Sequence, residues 1–225
     1  MNSNLFDEAA AKSYPEGPAR QVPGYSDLHR MVSQLLAERT APDGNILVLG
    51  AGGGQELKAL ADAHPGWSFE GVDPSAEMLR LARMVTEPHL ARIRLVQGYI
   101  GDASQGPFDA ATSILTFHFI PRDQRIRTLA AIRSRLKVGA PFVLVHLSFP
   151  QTEPERTKWI ARHVAYGASK GAALPPQENA RQAIANRLTI LSPEDDANML
   201  AEAGFSGIEL FYAGLSIKGW VCLAA

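Results

Sequence analysis

Three glycines alternate with single residues at Gly50, Gly52 and Gly54, directly after the apolar run Ile46-Leu47-Val48-Leu49. An acid, Asp73, follows about 20 residues later, at the end of a second run, Ser68-Phe69-Glu70-Gly71-Val72. A short apolar run that breaks into glycine reads as a buried parallel strand ending in a tight turn. Glycine there lets a ligand lie against bare main chain. An acid at this separation suits the hydroxyls of a ribose. The expected chemistry is capture of an adenosine-containing cofactor at the end of a parallel sheet.

The spacing also selects among cofactors. A dinucleotide fingerprint needs its third glycine where Gln55 stands. No Gly-Lys-Ser/Thr follows, so the loop is not a phosphate cradle of the P-loop kind. Lys58 is the only nearby base that could meet a pyrophosphate. A ligand without phosphates suits this loop better than NAD.

The elements that must position these residues alternate between strand and helix. Tyr25 to Arg39 carries Leu28, Met31, Val32, Leu35 and Leu36 at helical spacing. Strand one is expected at Asn45 to Leu49, with a helix from Gln55 that stops near His64-Pro65-Gly66. Strand two is Ser68 to Val72, and Ser75 is the N-cap of the next helix. Strand three is Arg92 to Gln97, strand four Phe108 to Leu115, and strand five Pro141 to Leu147, with a helix from Asp123 to Leu136 before it. Residues 150–190 read as an insertion of two helices, Glu153 to Ser169 and Pro176 to Arg187. Ser192-Pro193 opens a last helix, with proline at its first position. Strands six and seven, Gly207 to Phe211 and Ser216 to Leu223, are too closely linked to be parallel. The expected fold class is therefore α/β: a Rossmann-like, doubly wound, seven-stranded sheet, mostly parallel with an antiparallel last strand and helices on both faces.

At this point the chain resembles the class I S-adenosylmethionine-dependent methyltransferases. Ile46 to Gly54 is similar to their first motif and Phe69 to Asp73 to their second. Phe108 to Ile114, Leu136 to Leu144 and Ala203-Gly204-Phe205 are similar to their later landmarks, in the same order. Within that class, Arg20 to Leu28, Phe119 to Arg125 and Arg181 to Leu188 resemble the carboxy-S-adenosylmethionine synthases. That resemblance implies that Tyr25 touches the cofactor and that Arg181 binds an additional carboxylate. The chain departs from it at Val48, where the family has an acid, at Tyr99, where it has Asp, and at Ile114, where it has Asn.

The cofactor implied is S-adenosylmethionine. Gly50, Ala51, Gly52 and Gly54 are expected at its aminoacyl part and Asp73 at its ribose, the alternatives being an empty turn and a simple helix cap. Pro74, Met78, Tyr99 and Ile100 are expected near the adenosine, with Asp102 either at the adenine amine or in a turn; Met78 could equally be core. Ile114 and Leu115 are expected beside the methyl group. His118 and Tyr25 are the catalytic candidates, His118 as a base poised near neutrality with a structural role as its alternative. Arg181 is expected at a carboxylate of cofactor or substrate, or else on a helix surface. His29 ranks lower, and so does His146, expected near the pocket mouth. The function expected is methyl transfer to a small-molecule acceptor. A carboxy-S-adenosylmethionine synthase-like enzyme and a non-catalytic S-adenosylmethionine-binding module are the alternatives.

Composition sets the remaining bounds. The chain has 225 residues and a formal net charge of -1. One domain with a single large core is expected: residues 1–40 an arm and lid helix, 41–149 the cofactor-binding half, 150–190 a helical lid, and 191–225 the closing helix and hairpin. The near-neutral charge gives no argument for nucleic acid. No apolar run is long enough for a transmembrane helix. Arginines at 122, 125, 127, 133 and 135, with Lys137, read as a solvated helix face. The single cysteine, Cys222, lies in an apolar run and reads as a buried thiol. No spacing of ligands fits a metal site. The expected compartment is the cytoplasm, and a homodimer stays open.

Overall fold

The computed structural model describes residues 17–168 and 177–225. Seven strands form one sheet in the order β3-β2-β1-β4-β5-β7-β6. They are β1 (Asn45–Leu49), β2 (Ser68–Asp73), β3 (Ile93–Gln97), β4 (Ala110–Ile114), β5 (Pro141–Leu147), β6 (Phe205–Gly214) and β7 (Ile217–Ala224). The first five pair in parallel, and β7 runs antiparallel between β5 and β6. The helices are α1 (Gly17–Gln21), α2 (Tyr25–Ala37), α3 (Gln55–Ala63), α4 (Ala76–Val85), α5 (Arg122–Arg133), α6 (Glu155–Ala168), α7 (Gln177–Arg187) and α8 (Pro193–Glu202).

Side chains alternate across a strand, and here both alternations are apolar. Ile46, Val48, Val143 and Val145 join one core, covered by α2, α3 and α4. Leu47, Leu49, Phe142 and Leu144 join a second core with Leu129 and Ile132 of α5 and Leu200 of α8. Helices on both faces explain why the central strands read as unbroken apolar runs. β6 is the exposed edge, and its ladder with β7 is interrupted by two register shifts, which bend an edge away from further pairing.

The glycine loop between β1 and α3 is held from below. Gly50 N–H and Ala51 N–H both donate to the Val72 carbonyl, at 2.8 and 3.0 Å. Gly54 is the N-cap of α3 at φ 82, and a Cβ there would stand 2.8 Å from Ala82 Cα. Gly54 is thus the point where α3 and α4 pack backbone to backbone. Ser75 caps α4 by accepting the Met78 N–H, and Ser192 caps α8 by accepting the Asp195 N–H, as the sequence predicts.

One sequence expectation is overturned in part on α5. Arg122, Arg127, Arg133 and Lys137 are exposed as expected, but Arg125, and Arg135 just beyond the helix, are buried. Arg125 turns inward because Asp196 of α8 and the carbonyls of Ile120 and Thr189 receive its guanidinium. Cys222 is fully buried, and burial pushes its thiol pKa up.

Candidate active site

Among the described residues, two cavities open at the carboxyl ends of the parallel strands. The smaller, about 260 Å³, is lined by Gly50, Val72, Pro74, Tyr99, Ile100 and Thr116 among others. It joins the ends of β1, β2 and β4 to the turn after β3. The larger, about 440 Å³, lies on the β5 side and is walled by α1, α6 and α7. Leu115 faces the larger cavity and its neighbour Thr116 the smaller. Leu115 has φ 59, a left-handed conformation that a leucine adopts only under constraint.

The polar groups around the smaller cavity decide whether S-adenosylmethionine suits it. The amides of Gly50 and Ala51 are spent on Val72, and Gly52 N–H donates to Asp73 Oδ2 at 2.9 Å. With these three amides spent, the loop is not an open cradle of N–H groups for a phosphate. Gly50 must lack a side chain here, because a Cβ would stand 1.9 Å from Thr116 Oγ1. No lysine or arginine lines the cavity among the described residues. Leu49, Val72, Ile100 and Ile120 supply apolar walls for a base. The residues fit the cofactor.

Asp73 organises this half. Its Oδ1 accepts the Ser75 N–H at 2.9 Å while Oδ2 holds Gly52. Burial raises its pKa, and the two amides partly offset the rise. A carboxylate has about four acceptor positions, so capacity remains for a ribose beside Val72 and Pro74.

The other expected residues divide. Pro74, Tyr99 and Ile100 line the smaller cavity, and Leu115 and His118 the larger. Ala51, Met78 and Ile114 are buried in the packing and line neither. Asp102 takes the turn role, accepting the Tyr99 N–H at 2.8 Å. Tyr25 packs edge-on to His29, ring centroids 4.5 Å apart, and lines neither cavity. Arg181, on α7, lines neither, and its Nε is buried without a hydrogen-bond partner. His146 is not at a pocket mouth: it is fully buried, packed by Phe117 and Trp220, with Nε2 3.5 Å from Asp196.

Several site residues gave no signal in the sequence. Thr116, Gln124 and Thr128 line the smaller cavity, and His163 of α6 lines the larger. Glu56, in the first turn of α3, is 6% exposed. It lies close to Thr112, the register partner of Val48, yet Glu56 Oε1 and Thr112 Oγ1 complete no hydrogen bond. Burial outweighs the influence of Thr112 and lifts the Glu56 pKa to about 7. The folded pKa exceeds the unfolded one, so the stability this group contributes is full below pH 4.5 and is lost as pH rises through 7. Replacing Glu56 by Gln removes that loss. The variant should gain on the wild type by up to about 3 kcal/mol between pH 4 and pH 8, read by urea unfolding at both ends. A constant difference across that range would contradict the protonation of Glu56.

Comparison with known proteins points to the same fold and the same cofactor. A family described as a methyltransferase domain matches residues 46–139. A carboxy-S-adenosyl-L-methionine synthase from Campylobacter fetus is 26% identical over 207 residues, covering 92% of this chain and 88% of that protein. The protein of the same name from Haemophilus ducreyi is 28% identical over 225 residues, covering 97% and 91%. Among solved structures, magnesium protoporphyrin IX methyltransferase from Synechocystis with bound SAH superposes with a TM-score of 0.70 at 14% identity, covering 99% of this chain and 98% of that one. A SAM-dependent methyltransferase from Aquifex aeolicus gives 0.66 at 14% identity, covering 98% and 100%. Residues 46–139 match a methyltransferase domain, and over nearly its whole length the chain is similar to carboxy-S-adenosyl-L-methionine synthases and shares the fold of S-adenosylmethionine-dependent methyltransferases.

Proposed function

We propose that the chain transfers a methyl group from S-adenosylmethionine to a small, largely apolar acceptor by direct displacement. The observation that carries this reading is the junction at the end of β4, where consecutive residues Leu115 and Thr116 open on two different cavities. The smaller is lined by Gly50 of the loop and by Val72 and Pro74, the neighbours of Asp73, and the larger has room for a second molecule. When bound, the cofactor supplies an electrophilic methyl on a positive sulfur that leaves readily. The protein's share is then to position and to keep the site dry. Asp73 and the loop hold the nucleoside, and Leu115, Leu147, Val164 and Ile184 exclude water from the larger cavity.

Titration calorimetry with S-adenosylmethionine, followed by assay of S-adenosylhomocysteine release over a panel of small acceptors, tests the reading. Uptake with acceptor-dependent release is expected, and no uptake would remove it. A second reading, a carboxy-S-adenosylmethionine synthase-like enzyme, is favoured by the unpartnered Nε of Arg181. Mass spectrometry of the copurifying ligand separates the two, since the second requires an adduct heavier by one carbon dioxide.

A further inference from the structure

Among the described residues, the lining of the larger cavity is apolar apart from Gln21 and two imidazoles on different elements, His118 after β4 and His163 on α6. His118 Nδ1 accepts the Leu147 N–H at 3.4 Å. An amide can only donate, so the proton of a neutral ring stands on Nε2. His163 Nδ1 lies 2.7 Å from Ser216 Oγ. Ser216 is 1% exposed, and this is the contact its hydroxyl makes. If the hydroxyl accepted from Nδ1, its own proton would be buried without an acceptor, at about 1–3 kcal/mol. The hydroxyl therefore donates, and His163 also carries its proton on Nε2. Both tautomers are assigned from the hydrogen-bond partners. Each ring is uncharged at neutral pH, because burial holds His163 at about 4 and His118 well below its usual value. Both residues line the cavity, and neither Nε2 is among the buried atoms that lack a partner.

We propose that the larger cavity is a carbonyl site, in which His118 and His163 donate Nε2–H to a proton-free oxygen of an otherwise apolar acceptor. A neutral carbonyl is selected over a carboxylate, because no lysine or arginine lines the cavity among the described residues, and a buried charge without a partner is costly. His118 in this tautomer orients the acceptor rather than removing a proton from it. The inference rests on the larger cavity being the acceptor site of the proposed function.

The test uses the full chain and three probes of similar size: acetophenone, ethylbenzene and benzoate. His118→Phe and His163→Phe should each weaken acetophenone roughly tenfold, the loss of one neutral hydrogen bond, and leave ethylbenzene unchanged. His118→Gln and His163→Gln keep an N–H donor and should recover acetophenone binding. Urea unfolding confirms that each variant is folded. Nitrogen NMR of the histidine rings should show both protons on Nε2. Equal losses for acetophenone and ethylbenzene, tighter binding of benzoate than of acetophenone by the wild type, or a proton on Nδ1 of either ring would overturn the proposal. Cofactor uptake is measured separately, so a failed probe series with intact S-adenosylmethionine binding counts against the carbonyl site and not against methyl transfer.

Discussion

Replacement of Asp73 by Ala will weaken S-adenosylmethionine binding by at least about a hundredfold. The carboxylate joins two elements that the cofactor must find in register: Oδ2 holds Gly52 of the glycine loop, and Oδ1 holds Ser75, the N-cap of α4. Each is a hydrogen bond to a charged group, at about 1.5–3 kcal/mol. Losing both leaves the loop amide unpaired in a site where Asp73 is only 9% exposed. The ribose contact proposed for the remaining lone pairs is lost as well. A sum near 3 kcal/mol is about two decades of affinity. Asp73→Asn keeps one acceptor oxygen and sets an amino group against the other N–H, so it should fall between wild type and Ala. Calorimetric titration of all three proteins with S-adenosylmethionine reads the order. Equal affinity in wild type and Asp73→Ala would detach the glycine loop from cofactor binding.

The place of Asp73 beside the glycine loop was legible without a structure. It depends on separation along the chain: a strand, a turn and a helix of ordinary length bring it back there. The same holds for the capping serines Ser75 and Ser192, whose partners lie three residues on. The antiparallel β6–β7 pair was legible because a short link forbids a crossover. These features are local, or follow from the repeat of a parallel sheet.

What was not legible is set by packing between distant segments. His163 meets Ser216 across 53 residues, and nothing in a helical run such as Trp159 to Ala168 marks one histidine as facing a cavity. Glu56 follows the glycines as a polar residue in a first helical turn, a position where acids are common for the helix dipole; only the arrival of β4 with Thr112 shows that it is buried. Tyr25 and Arg181 were placed by resemblance alone, and here they lie outside both cavities. Arg125 misled for a further reason. It stands among Arg122, Arg127 and Arg133, and a periodic pattern assigns charge to the solvent side. The acid that draws it inward belongs to α8, 71 residues later.

That inward arginine carries the second large effect. Arg125 Nη1 and Asp196 Oδ1 are 3.1 Å apart, at 1% and 3% exposure. Burial pushes both groups toward their neutral forms, lowering Arg125 and raising Asp196 to about 6. Arg125→Met should cost about 3–5 kcal/mol at pH 8, since it leaves Asp196 charged, buried and alone. The sign of the pH dependence follows from the raised pKa. Ionisation of Asp196 opposes folding, so the variant should lose stability as pH rises through 6 and beyond, and recover part of it near pH 5, where the acid takes up a proton. His146, 3.5 Å from the same carboxylate, adds no charge to compensate, because burial holds its pKa well below 6.5. The double variant Arg125→Met with Asp196→Leu removes both charges and should return most of the loss, since an apolar pair of similar size costs nothing in desolvation. Urea unfolding of the two variants at pH 5 and pH 8 reads the whole set. If the single and double variants are equally unstable, shape and not charge is what the pair contributes, and the α5–α8 contact is a packing joint that happens to contain ions.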